Sequence, residues 1–209
     1  MDNVESIVDP AISRKKFERE LEDYRRMEDV YLERGWFLLK AEFPEVFVVF
    51  ATPVTSPPTI VIGALIDFEN YDFWPPSVTL VNPFTRQPYL AKQLPVQMPR
   101  LGGPVAPPPE LVANAQAGLL PPGFQFPSIA NLFQFGSPED KPFLCVPGVR
   151  EYHSNPAHTG DSWLLHRGRG EGTLHFILET LYNYAVKSIT GLQVQQVFNI
   201  QFVQNNIAP

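Results

Sequence analysis

Between Trp36 and Val81 the chain has room for strands and none for a helix. Three apolar, β-branched or aromatic runs follow one another, Trp36–Lys40, Val46–Phe50 and Thr59–Ile66, with Ser77–Val81 a shorter fourth. Only Phe43-Pro44, the Pro53–Pro58 stretch and Trp74-Pro75-Pro76 separate them, each rich in turn formers. A parallel connection needs a crossover of a dozen or more residues, so links this short demand antiparallel pairing in a meander. Ahead of it, Asp9 can cap a helix and Pro10 suits the first helical position. Phe17, Leu21, Tyr24, Tyr31 and Leu32 recur at helical spacing, and Gly35 stands where a left-handed cap belongs. One amphipathic helix of about 24 residues is predicted, its charges from Arg14 to Arg26 forming the solvated face.

Beyond the meander, Thr173 opens a second helix with Leu174, Ile177, Leu178, Leu181, Ala185 and Ile189 on one stripe, closing near Gly191. Helix, meander, helix is an α+β layout with the helices on one face of the sheet. A length of 209 residues fits one domain, residues 1–209. Residues 82–141 hold many of the 23 prolines and read as an insertion within it. Its apolar residues, among them Leu101, Leu119, Phe124, Phe133 and Phe135, are too many for a free linker. It is expected to fold back over the domain, with room for a short helix over Leu111–Leu119. Trp163–Gly172 reads as a polar turn. The tail leaves two readings open: Val194, Val197, Ile200 and Val203 fit a helix, while Phe198–Phe202 alternates like a strand.

A net charge of −6 argues against a general nucleic-acid binder, which needs a cationic surface. No apolar run approaches the roughly 20 residues of a membrane span. The acidic start lacks the order of a secretory signal, and a single cysteine forms no internal disulfide, so a cytoplasmic protein is expected.

The chemistry is concentrated in Cys145–His158, which holds the one cysteine and two of the four histidines. Cys145, Glu151, His153 and His158 together offer a sulfur, an oxygen and two nitrogens, a donor set for zinc or another divalent transition ion. On an extended segment, Glu151 and His153 would point to one face. Four ligands would close the site, whereas three would leave a place for water. The competing reading makes Cys145 a nucleophile, with Arg150, His153, His158, Arg167 and Arg169 as sources of positive potential. A metal-bound thiolate is a poor acyl acceptor, so the two readings compete for one sulfur. The bland alternative is a buried structural cysteine among ordinary loop histidines. Asp161 reads as a turn residue, His166 lacks a partner in sequence, and His175 reads as a satisfied helix histidine.

Two resemblances bear on this choice. The N-terminal helix, the meander and Ile66-Asp-Phe-Glu-Asn-Tyr-Asp-Phe-Trp-Pro-Pro-Ser-Val-Thr-Leu resemble ubiquitin-conjugating (E2, UBC-fold) domains, where the third strand runs into a Tyr-Pro-x-x-Pro-Pro turn. Tyr71, Pro75, Pro76 and Val78 match, and Asp72 replaces the first proline. Phe143-Leu-Cys145-Val resembles the active-site strand of that family, with Trp163 and the helix from Leu174 following in order. The family's His-Pro-Asn triplet is missing: no histidine precedes Cys145, and Asn131 is the nearest upstream asparagine.

The pattern Cys145-x-Pro-Gly-x-Arg-Glu151-Tyr-His153-x-x-Pro-x-His158-x-Gly-Asp161 is similar to a predicted metal-binding family, named for Cys-Glu-His-His, found with bacterial ubiquitin-like conjugation systems. Together the resemblances imply a UBC-like domain working with a ubiquitin-like protein and E1/E2-type proteins. It would be either a zinc-binding member that does not ligate or an active carrier with a thioester on Cys145. A third alternative is a structural interaction module with a metal-pinned loop. Oligomeric state is left open.

Overall fold

The computed structural model describes residues 7–96, 98–101, 114, 117–119, 129–187 and 189. The chain opens with α1 (Pro10–Arg26) and α2 (Glu28–Glu33). Four strands follow: β1 (Trp36–Glu42), β2 (Glu45–Thr52), β3 (Thr59–Asp67) and β4 (Ser77–Val81). They form an antiparallel sheet in the order β1-β2-β3-β4, the meander that the short links demanded.

The first helix is two helices, not one. Met27, at φ −113° and ψ 8°, ends α1, and α2 begins on the next residue. The apolar spacing carries through the break, so periodicity did not reveal it. Charge order marks it: Arg25 and Arg26 lie in the last turn of α1, and Glu28 and Asp29 in the first turn of α2. Each suits the dipole of its own helix end. Gly35, at φ 81°, then turns the chain into β1 as expected.

The core lies between one sheet face and the helices. In β2, Val46, Val48 and Phe50 alternate onto that face, joined by Ile62, Ala64 and Ile66 from β3 and by Val78 and Leu80 from β4. Phe17, Leu21 and Tyr24 of α1 cover it, with Leu174, Ile177, Leu178 and Leu181 of a later helix, Leu174–Leu181. Thr173 caps that helix by accepting from the Phe176 N–H at 3.2 Å. The expected run to Gly191 stops short, because Tyr182–Val186 widens into a π-turn. The extra residue in that turn brings Ala185 and Val186, adjacent in sequence, both into the core.

Regular structure also occurs in the proline-rich region. β5 (Pro99–Leu101) pairs with β6 (Ile129–Asn131), and β7 (Phe133–Gln134) with β8 (Phe143–Leu144). Val96, Met98, Leu132 and Phe133 are buried in the main core. The expected helix over 111–119 lies largely outside the described residues, and the tail from Leu192 entirely so. No helix among the described residues is long and apolar enough to cross a membrane.

Glu20, 4% exposed, ties these layers together. One carboxylate oxygen accepts from the Tyr71 hydroxyl at 3.0 Å, and the other from the Leu174 N–H at 3.0 Å. A buried carboxylate is tolerated when hydrogen bonds replace its water, and here one donor is a first-turn N–H with no intrahelical partner. Replacing Glu20 by Ala strands both donors and should cost about 2–3 kcal/mol. Glu22→Ala, on the exposed face, should stay within about 0.5 kcal/mol. Urea unfolding measures both, and equal losses would show that Glu20 is not the tie described.

Candidate functional site

Cys145 directly follows β8, and its N–H donates to the Leu132 carbonyl at 2.6 Å, beside the end of β6. The chain then turns through Pro147-Gly148 into α3 (Arg150–Ser154) and a 3₁₀ turn over Pro156–His158. Next come α4 (Trp163–His166) and α5 (Leu174–Leu181). The stretch expected to be a polar turn thus contains α4, opened by the Ser162 side chain accepting from the Leu164 N–H.

Of the four candidate ligands, the structure brings two together. Cys145 Sγ lies 3.2 Å from His158 Nε2, and the cysteine is only 6% exposed. Glu151 and His153 are held elsewhere. They sit on a helix rather than the expected extended segment, and two helical positions diverge by roughly 200°. Glu151 turns to β4, where its carboxylate accepts from the Ser77 hydroxyl and from the Val78 N–H. His153 turns the other way. Its Nε2 accepts from the Gly148 N–H at 3.1 Å, and its Nδ1 faces the Asp161 carbonyl at 2.9 Å. Nε2 is therefore the bare nitrogen and Nδ1 carries the proton, leaving no lone pair for an ion. Among the described residues, no group of three or more His, Cys, Asp or Glu side chains converges on one point. The four-residue cage does not fit as the side chains stand.

Close backbone approach shapes the turn that carries Cys145. Gly148 has φ 93°, and a Cβ there would lie 2.3 Å from the Gly172 nitrogen. Gly172 in turn faces the Trp163 ring, so of the three glycines before α5 this one serves packing, while a Cβ at Gly168 or Gly170 would meet nothing within 4 Å. The Trp163 indole N–H donates to the Asp72 carbonyl at 2.9 Å. Asp72, which stands where the resembled turn has its first proline, pairs with Lys16 and, at 2.9 Å, with Arg167. Partial burial pushes its carboxyl up, but the bonds and charges of Lys16 and Arg167 outweigh this and hold it below the usual range. Arg150 donates to the Glu69 and Pro75 carbonyls, so its guanidinium, like that of Arg167, is bonded to the stretch between β3 and β4.

Three functional candidates escaped the sequence reading. Tyr152 stacks on His158, with ring centroids 3.9 Å apart and planes at 24°. Its hydroxyl donates to Asp161 Oδ2 at 2.6 Å, and His166 Nε2 lies 2.7 Å from Asp161 Oδ1. Hydrogen bonds from Tyr152 and His166 hold the Asp161 carboxyl below its usual range. Asp161 was visible in the sequence pattern but read as a turn residue, and His166 had no sequence neighbour to suggest its partner. His175 is the satisfied histidine it was read to be, 2.7 Å from the Tyr31 hydroxyl. A cleft of about 380 Å³ lies beside α3 and α4, bounded by Phe73, Trp74, Arg150, His153 and Trp163. Cys145 does not line it, which makes it a neighbour of the site rather than its mouth.

Burial lowers the His153 pKa, outweighing its hydrogen bond to the Asp161 carbonyl. The folded state therefore binds fewer protons than the unfolded chain as pH falls below about 6.5. Stability from this group is full above that value and is lost as pH drops toward the lowered one. Thermal melts between pH 7 and 5 should fall more steeply for the wild type than for His153→Gln, and matching slopes would contradict the assignment.

Residues 8–189 match the Y4jH-like family, described as the Y4jH family. The chain is also similar to a protein of Sinorhizobium fredii (strain NBRC 101917 / NGR234) whose name reads uncharacterized protein y4jH. The two are 45% identical over 188 residues, covering 90% of this chain and 88% of the relative. With nearly its whole length matched at that identity, the chain belongs to the Y4jH family.

Proposed function

We propose that this is a UBC-like carrier protein in which Cys145, with His158 as its base, accepts a ubiquitin-like protein as a thioester. The observation that carries the reading is the 3.2 Å contact between Cys145 Sγ and His158 Nε2. A nucleophilic thiol needs a base in hydrogen-bond reach, and an imidazole is the side chain best matched to that task near neutral pH. The order of elements supports the setting: helix, antiparallel meander, cysteine after a short strand, tryptophan, helix. An E1/E2-type pathway in the cytoplasm would supply the acyl donor.

In the step proposed, His158 Nε2 takes the Sγ–H proton, and the thiolate attacks the thioester carbonyl of the incoming carrier. The new carbon–sulfur bond forms on Cys145. The donor's sulfur leaves and takes the proton back from the imidazolium. The proposal stops at thioester exchange, because the His-Pro-Asn triplet that supports isopeptide formation is absent before Cys145.

A second reading, zinc binding by a non-ligating or structural member of such a system, rests on the same two atoms. Two ligands of one tetrahedral zinc stand roughly 3.5 Å apart by their bond lengths, close to the Cys145–His158 separation. Glu151 would have to leave Ser77 and Val78, and His153 would have to leave Gly148, to complete the four.

Two assays on untagged protein separate the readings. Incubation with a cognate activating enzyme and ubiquitin-like protein should give a thiol-sensitive adduct that Cys145→Ala abolishes and that His158→Ala forms about 100-fold more slowly. No adduct in a system that charges another carrier would remove the first reading. Near-stoichiometric zinc, lost in Cys145→Ala and His158→Ala, would establish the second in its place.

A further inference from the structure

The structure assigns Tyr152 and Asp161 a role as positioning residues that hold the His158 imidazole on Cys145, an inference that rests on the thiol reading above. His158 ends a three-residue 3₁₀ turn, which leaves its ring free to rotate unless something outside the turn fixes it. A catalytic imidazole is commonly oriented by an acceptor on its second nitrogen. Among the described residues, no hydrogen bond to His158 Nδ1 does this.

The restraint comes from the ring face. Tyr152 lies against it at 3.9 Å between centroids and 24° between planes, close enough to limit rotation on that side.

Tyr152 is itself fixed at its far end, and every polar group of Asp161 takes part. Asp161 Oδ2 accepts from the Tyr152 hydroxyl at 2.6 Å, and Oδ1 lies 2.7 Å from His166 Nε2. Its carbonyl faces His153 Nδ1 at 2.9 Å, and its N–H donates to the His158 carbonyl at 3.1 Å. One residue thus holds the turn bearing His158 by its backbone and the ring covering His158 by its side chain. The arrangement orients rather than relays: Tyr152 meets His158 ring against ring, and its hydroxyl proton goes to Asp161. Groups held this way need little reorganisation when the reaction occurs.

The test is the rate of Cys145 alkylation by iodoacetamide in the full-length protein, with thermal melting as the fold control. His158→Ala should slow alkylation about 100-fold, and Tyr152→Leu about tenfold. Tyr152→Phe keeps the ring but loses its anchor, so it and Asp161→Asn should each slow alkylation by no more than about threefold. The double variant Tyr152→Leu/His158→Ala should be no slower than His158→Ala alone, because Tyr152 acts through His158. A purely structural role would give the same Tyr152→Leu loss in both backgrounds, and that result overturns the proposal. A rate unchanged in His158→Ala would instead remove the thiol reading, and this inference with it.

Discussion

The site depends on a clasp between α3 and the crossover into β4. Arg150 donates its backbone N–H to the Pro76 carbonyl and its guanidinium to the carbonyls of Pro75 and Glu69. Glu151, the next residue, takes the Ser77 hydroxyl and the Val78 N–H. Prolines cannot donate to a ladder, so Pro75 and Pro76 leave their carbonyls open at the point where the sheet edge ends. A charged donor and a charged acceptor from one helical turn satisfy that exposed backbone. Bonds to ionised groups are among the stronger ones a protein makes, about 1.5–3 kcal/mol each. The clasp fixes α3 against the sheet, and the chain on either side of α3 then carries Cys145 and His158 to each other.

A second set of contacts closes the far side. Asp72 gathers Lys16 from α1 and Arg167 from beyond α4, while its carbonyl takes the Trp163 indole. Glu20 joins α1, Tyr71 and the first turn of α5. The Tyr71–Ser77 crossover is therefore bonded to α1, α3 and α4, and through Glu20 it is linked to α5. Apolar packing anchors its start, where Tyr71 is buried against Phe68, and half-buried charge holds the rest, where Phe73 projects into solvent and Arg150 lies over the Trp74 ring at 5.7 Å.

Much of the fold was legible because local rules govern it. Short proline-rich links left the four runs no pairing but a meander, and Asp9, Thr173 and Gly35 act at the helix ends as their chemistry suggests. The break at Met27 was hidden because an apolar stripe can run across it unbroken. The site was half legible. Cys145 and His158 were named from residue type, and they meet. Glu151 and His153 were named with them by the same donor chemistry and expected on one face of an extended segment, but the segment is helical, and helical geometry sends them apart. Tyr152, Asp161 and His166 were passed over because their roles arise from contacts with one another, across two turns whose geometry no local pattern encodes.

The central claim is that Cys145 and His158 form a hydrogen-bonded pair. Long-range ¹H–¹⁵N correlation of the histidine side chains tests it most directly. The account predicts that the His158 Nε2 signal moves when Cys145 is replaced by Ala, while the His153 nitrogens, bonded to backbone, stay in place. A His158 Nε2 signal indifferent to the loss of the thiol would contradict it.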